Sequence, residues 1–132
     1  MSLDPRNLSP EATEFLTERH LATLTLIRPD GTPHVAPVGV TWDAEAQLAR
    51  IITWGGSNKA RLLTASGASP AAVCQVDGGR WLTIEGVASV LSDPARCAEA
   101  VARYAERYRQ PKDRGSERRV IEIAVTRMMG RA

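Results

Sequence analysis

Residues 51–62 read IITWGGSNKARL, and along this stretch the chain changes from one kind of local pattern to another. An apolar, strand-like run ends at two glycines, and a segment with helical spacing follows. The residues alone leave two interpretations open. In one, Gly55 and Gly56 form a turn and Ser57 is an ordinary helix N-cap. In the other, the free amides of the helix start bind a phosphate together with Lys59 and Arg61.

Outward from this stretch, alternating and helical patterns divide the chain into short elements with tight connections. The turn sequences PDGT at 29–32 and DGG at 77–79 are typical of hairpins, so neighbouring strands are expected to be antiparallel. We therefore predict one domain over 1–132 with an α+β fold, mainly β: a six-stranded antiparallel barrel with peripheral helices. The predicted strands are 21–28, 33–42, 48–53, 70–76, 80–92 and 120–127, and the predicted helices are 10–19, 57–65 and 94–110.

Spacing also predicts which side chains of the last helix and the last strand face inward. In the helix these are Ala98, Val101, Ala102, Ala105 and Tyr108. In the strand Ile121, Ile123 and Val125 are predicted to face inward, with Glu122, Ala124 and Thr126 outward.

Four positions within the predicted strands have residues that need an explanation. Pro37 removes a hydrogen-bond donor and Gly39 removes a side chain, so this strand is either an edge or a place where another group approaches the backbone closely. Gly86 indicates a bulge. If 50–54 is a strand, Arg50 and Trp54 share a face, and an exposed strand cation is an equally acceptable interpretation.

Composition excludes several classes of function. The net charge is only +2, and 15 of the 17 basic residues are Arg, which does not indicate nucleic-acid binding. No run of apolar residues is long enough to cross a membrane, and the beginning of the chain does not resemble a signal peptide, so a cytoplasmic location is expected. Two histidines and two cysteines without ligand spacing predict no metal site.

Three segments carry a resemblance to a known family: GTPHVAPVGVTWD at 31–43, ARIITWGGSNKARLL at 49–63 and CQVDGGRWLTIEGVASV at 74–90. With the order of the elements, they resemble the flavin and deazaflavin split β-barrel family that includes pyridoxamine 5'-phosphate oxidase. The similarity is closest to its coenzyme F420-dependent biliverdin reductase branch and extends from FLTERHLATL at 15–24 through RRVIEI at 118–123.

The resemblance implies a split barrel that forms a homodimer, with cofactor sites in grooves at the interface. The residues matching the 37–39 strand would lie against the ring system of the cofactor, those of 50–53 would line the groove, and those of 57–61 would hold the phosphate and the start of the tail. Two further residues would contact the ring or come from the partner chain. The implied cofactor-binding residues are Pro37, Val38, Gly39, Arg50, Ile51, Ile52, Thr53, Ser57, Asn58, Lys59, Ala60, Arg61, Gln75 and Trp81.

The activity implied by the resemblance is hydride transfer from reduced coenzyme F420 to a conjugated acceptor such as biliverdin. No Asp, Glu or His stands out as a proton donor, so no catalytic residue is assigned. Two alternatives remain open. One is an FMN-binding oxidase like pyridoxamine 5'-phosphate oxidase, and the other is a non-catalytic carrier of a flavin, a deazaflavin or a tetrapyrrole. The chain lacks the C-terminal basic segment of true pyridoxamine-phosphate oxidases, which argues against the first alternative.

Overall fold

The computed structural model describes all residues 1–132 and has eight antiparallel strands in one sheet. Six strands were predicted. The count differs because the predicted strand 33–42 breaks at Gly39, and because residues 2–3 pair with residues 128–129. The strands are β1 (Ser2–Leu3), β2 (Ala22–Ile27), β3 (Pro33–Val38), β4 (Thr41–Asp43), β5 (Leu48–Trp54), β6 (Ser69–Asp77), β7 (Arg80–Leu91) and β8 (Arg118–Arg131).

Three α-helices pack against this sheet, each beginning at a capping side chain. They are α1 (Pro10–Thr17), α2 (Asn58–Ser66) and α3 (Pro94–Arg107), and a single 3₁₀ turn covers Gly115–Glu117. The caps are Ser9, Ser57 and Asp93, and each accepts a hydrogen bond from a main-chain N–H of the first turn, as their residue types predict. None of the helices is long and apolar enough to cross a membrane.

The order of the strands explains why the sheet curls. β3 and β4 are the two ends of the series β3-β2-β6-β7-β8-β5-β4, yet only Gly39 and Val40 separate them along the chain. The sheet must therefore bend round until its ends meet at these two residues. No strand pairing joins β3 to β4, so the barrel stays open there. The predicted mainly-β α+β class is confirmed, and we call this opening the split.

Inside the curled sheet lies the main apolar core. Phe15 and Leu16 of α1 pack there against inward side chains such as Leu24, Ile51 and Ile121. Gly86 produces the predicted bulge, because the β7–β8 register shifts between Glu85 and Gly86. The strands are also very close at that point, since a Cβ on Gly86 would lie 2.1 Å from the carbonyl oxygen of Ala124.

The predicted inner face of α3 is wrong by about one residue. The buried residues are Cys97 and Ala100, which pack on Val120, whereas Ala98 and Ala102 are exposed. Glu122, predicted to face outward, is also buried. It lies on the face of β8 that α3 covers, and its carboxylate pairs with Arg96 at 2.5 Å.

One part of the outer sheet surface is covered by no helix. It is formed by β2, β3, β6 and residues 81–87 of β7, and we call it the open sheet face. Ile27, Val35, Val76 and Val87 are exposed on it, with 65% of the surface of Val76 accessible. The open sheet face therefore combines regular strand pairing with an apolar surface.

Candidate functional site

A cavity of about 220 Å³ lies at the split, between β3, the end of β5, α3 and the loop 110–118. We call it the groove. Six of the fourteen residues implied by the resemblance line it: Pro37, Val38, Gly39, Ile52, Thr53 and Lys59. The remaining lining residues are Trp54, Tyr104, Pro111, Lys112, Arg114 and Arg118.

The end of β3 and Gly39 form one wall of the groove. β3 is an edge strand, which accounts for Pro37, and Gly39 is the first residue of the split. A Cβ on Gly39 would lie 2.7 Å from Cε2 of Tyr104 and 3.0 Å from Cε2 of Tyr108. Both explanations for Pro37 and Gly39 therefore apply. β3 is an edge strand, and aromatic rings approach the backbone closely at Gly39.

Cations that belong to no ion pair also line the groove. Lys59, Lys112, Arg114 and Arg118 are present, no Asp or Glu lines the groove, and none of the four cations belongs to an ion pair. Burial lowers the pKa of Lys59. Burial, and then the neighbouring Arg114, lower the pKa of Arg118. An anion bound here would compensate charges that the protein leaves uncompensated.

Two of these cations, Lys59 and Arg114, lie close to the ring of Trp54. The guanidinium of Arg114 lies 4.2 Å from the centroid of the Trp54 ring, and the ammonium of Lys59 lies 5.9 Å from it. Arg118 donates to the carbonyl oxygens of Thr53, at 3.3 Å, and of Lys112. The basic loop 110–118 is thus folded against β5 as a wall of the groove.

Helix α2 does not form a single cradle from 57–61. Successive helical residues turn by about 100°, so Lys59 and Arg61 point in nearly opposite directions. Lys59 lies in the groove, whereas Asn58 and Arg61 line a separate depression beside Arg28 and His34.

The remaining two residues of 57–61, Ser57 and Ala60, have structural roles. The Ser57 hydroxyl accepts from the Ala60 amide at 3.1 Å and lies 2.7 Å from the Thr53 hydroxyl. Ala60 is only 1% exposed and packs inside. Ser57 therefore acts as the ordinary N-cap of the first interpretation.

Arg50 and Ile51 lie outside the groove, for different reasons. Ile51 faces the core and is 2% exposed. Arg50 does share the outer face of β5 with Ile52 and Trp54, but its guanidinium binds Asp43 at 2.7 Å. Burial raises the pKa of Asp43, but the Ala46 amide and the guanidinium groups of Arg50 and Arg103 outweigh burial and hold this pKa below its usual value.

Gln75 and Trp81 also lie away from the groove of their own chain. Gln75 is on the inward face of β6, is 2% exposed, and donates to the carbonyl oxygen of Phe15 at 2.8 Å. Trp81 is half-buried on β7, opposite Val76 of the open sheet face. Contact between Trp81 and a partner chain remains a prediction.

Sequence reasoning missed the aromatic side of the groove. Tyr104 lines the cavity, and its ring lies 4.9 Å from that of Tyr108. The two tyrosines are one helical turn apart, which shows that they share a face of α3. The local sequence holds no signal that this face meets Gly39, because that contact joins residues 65 positions apart.

Comparisons with known proteins agree with the predicted resemblance. The chain is 48% identical over 125 residues to the F420H2-dependent biliverdin reductase of Mycobacterium tuberculosis (strain CDC 1551 / Oshkosh), covering 95% of this chain and 89% of that protein. Two solved structures share the fold. The conserved hypothetical protein Rv2991 from Mycobacterium tuberculosis has a TM-score of 0.77 at 22% identity, covering 98% of this chain and 88% of that one. An F420 reductase has a TM-score of 0.68 at 24% identity, covering 88% and 94%.

The family assignment rests on nearly the whole chain. Residues 8–131, from the segment before α1 to the end of β8, match the pyridoxamine 5'-phosphate oxidase family. The split barrel, the edge strand at Pro37 and the groove at the split all lie within these residues. The chain therefore belongs to the pyridoxamine 5'-phosphate oxidase family.

Proposed function

We propose that this protein is an oxidoreductase that uses reduced coenzyme F420 to transfer a hydride to a conjugated acceptor, and that this acceptor is biliverdin. The observation that supports the proposal most is the 48% identity, over 95% of the chain, to an F420H2-dependent biliverdin reductase.

The chemistry of the groove is consistent with a planar cofactor that carries a phosphate. A flat ring requires a flat wall, and the groove offers Gly39, which has no side chain of its own, with the planar ring of Tyr104 packed against it. A phosphate requires cations that are not already paired, and Lys59 is half-buried and unpaired. We therefore expect Lys59 to bind the phosphate and the 37–39 backbone to support the ring.

When bound, the reduced deazaflavin would supply the hydride, and the protein would supply orientation and exclusion of water. The residues suited to these roles are the main chain of 37–39, the rings of Trp54 and Tyr104, and the folded loop 110–118. No carboxylate or imidazole lines the groove, so we expect solvent to provide the proton. The rate of reduction should then vary little between about pH 5 and 8, whereas a bell-shaped profile would indicate a titrating donor.

We further propose that the active form is a homodimer joined through the open sheet face. Ligand pockets usually enclose roughly 300–1,000 Å³. The groove is about 220 Å³ and is open, so one chain would not surround a ring system. The open sheet face begins at the outward side chains of β3, next to Pro37, and carries Val35, Val76 and Val87. A second copy packed there would cover this apolar surface and could bring its Trp81 toward the groove.

Sedimentation analysis of the wild type and of Val76→Arg tests the homodimer. We expect the wild type to sediment as a dimer and Val76→Arg as a folded monomer with weaker cofactor binding. A wild-type monomer that binds cofactor fully would contradict this part of the proposal.

Calorimetric titration with coenzyme F420 and, separately, with FMN tests the choice of cofactor. We expect tight binding of F420 and weak or absent binding of FMN. Binding of FMN alone would favour the oxidase alternative. Binding of F420 without reduction of biliverdin would favour the carrier alternative.

A further inference from the structure

Gly39 and Val40 are the only residues between β3 and β4, the two end strands of the sheet. The shape of the groove therefore depends on how the main chain of these two residues is held in place. Val40 is 1% exposed, and its main-chain N–H and C=O must be satisfied within the protein. In a closed barrel the neighbouring strand would do this. Here β3 and β4 do not pair, and the side chains of Arg107 and Tyr108, at the end of α3, bind both groups instead.

Tyr108 binds the main-chain N–H of Val40. Its hydroxyl donates to the carbonyl oxygen of His20 at 2.6 Å and accepts from the Val40 N–H at 3.1 Å. A hydroxyl has one proton, and the shorter contact to His20 uses it. The Val40 carbonyl oxygen therefore requires another donor, although the same hydroxyl lies 3.2 Å from it.

Arg107 is that donor. Its guanidinium donates to the carbonyl oxygens of Val40 at 2.5 Å, Glu18 at 2.8 Å and Phe15 at 3.3 Å. It also donates to the side-chain oxygen of Gln75 at 3.0 Å. All four acceptors are neutral, so this half-buried cation is bound without a carboxylate. One guanidinium thus joins the end of α1, the interior of β6 and the split.

The hydrogen bonds of Tyr108 and Arg107 both affect the position of the groove wall at Gly39. The rings of Tyr104 and Tyr108 are pressed against Gly39, where a Cβ would be 2.7 Å and 3.0 Å from them. Tyr104 lines the groove itself. A shift of the end of α3 would therefore move the backbone against which a planar ring would lie.

We propose that Arg107 and Tyr108 are positioning residues for hydride transfer, which they support by holding the main chain of Gly39 and Val40 against the bound ring. This inference rests on the proposed function. Neither residue lines the groove, so their effect on the reaction passes through the backbone.

The test compares Tyr108→Phe and Arg107→Lys with Ser69→Ala. Tyr108→Phe keeps the ring and removes only the hydroxyl. Ser69→Ala is a matched control, because the buried Ser69 hydroxyl accepts from the main-chain N–H of Ile27 at 3.0 Å, away from the groove. Two quantities are measured: hydrogen exchange of the Val40 amide without cofactor, and the single-turnover rate of hydride transfer at saturating reduced F420.

We expect the Val40 amide of Tyr108→Phe to exchange faster and hydride transfer to slow by about 10-fold or more in both test variants. Ser69→Ala should stay within about twofold of the wild type in hydride transfer. A purely structural role would lower stability and leave the rate per folded molecule unchanged, so wild-type hydride transfer in both variants overturns the proposal. Unchanged exchange at Val40 in Tyr108→Phe overturns it as well. A wild-type protein that transfers no hydride overturns the proposed function instead, whatever the exchange rate at Val40.

Discussion

Replacing Lys59 by methionine separates a phosphate-binding groove from an ordinary helix start. Methionine keeps the length and apolar volume of the side chain and removes the charge. Arg61→Met, two positions away on the same helix, is the matched control, because Arg61 faces a different depression. The resemblance implies that both cations belong to one cradle, whereas the structure assigns only Lys59 to the groove.

The expected size of the effect follows from the environment of Lys59. Its ammonium is half-buried and has no carboxylate partner, so a bound phosphate would be its counter-ion. A charge-assisted hydrogen bond contributes about 1.5–3 kcal/mol, which corresponds to a loss of affinity of roughly 10- to 150-fold in Lys59→Met. Arg61→Met should change the affinity by less than about threefold.

Stability of the protein without cofactor provides a second, independent expectation. Burial lowers the pKa of Lys59, so the charged side chain is less stable in the folded protein than in the unfolded chain. Removing the charge should therefore leave the melting temperature unchanged or raise it.

Calorimetric titration with F420, together with thermal unfolding of each variant, measures both quantities. The reasoning would be refuted if Arg61→Met weakened binding as much as Lys59→Met, or if Lys59→Met bound F420 as the wild type does. A large loss of stability in Lys59→Met would show that the side chain holds the fold rather than a ligand.

Two further predictions concern stability. Gly86→Ala should destabilise the fold by about 3 kcal/mol or more, measured by urea unfolding. Its Cβ would lie 2.1 Å from the carbonyl oxygen of Ala124, and that strand is paired and cannot move aside. A variant as stable as the wild type would contradict the close approach at the bulge. Asp43→Asn should cost about 3–5 kcal/mol near neutral pH, because it leaves Arg50 and Arg103 without their shared carboxylate. Since the pKa of Asp43 is lowered in the folded state, its contribution is present above about pH 4 and lost as the pH falls through the folded-state pKa. The variant should therefore approach the wild type in acid, and a constant difference in unfolding free energy down to pH 2 would argue against this ion pair as the cause.

The features that could be predicted from the sequence are those set by neighbouring residues. Ser9, Ser57 and Asp93 cap helices because a short polar side chain reaches the first turn from that position. The bulge at Gly86 was readable because only glycine allows such close strands.

Burial on α3 could not be read in the same way. Alanines at 98, 100 and 102 are equally apolar, and packing on β5 and β8 decides which of them is covered. The periodicity identified an amphipathic helix, but it left the rotation of the helix uncertain by one residue.

The groove was only partly predictable, for the same reason. The 37–39 wall and Lys59 carry local signals, namely a proline and a glycine within a strand and a cation at a helix start. Tyr104 and Arg118 enter the groove through contacts across the chain. The divergence of Lys59 and Arg61, by contrast, follows from helical geometry, and the sequence alone was sufficient to predict it.

The most direct test of the proposed function is a single-turnover reaction. Wild-type protein saturated with reduced coenzyme F420 is mixed with biliverdin under anaerobic conditions, and the oxidation of F420 and the reduction of biliverdin are followed together. The proposed function predicts that both proceed at the same rate and with one-to-one stoichiometry, and that both slow in Lys59→Met when F420 is not saturating. F420 that stays reduced in the presence of biliverdin, although it is bound, would contradict it.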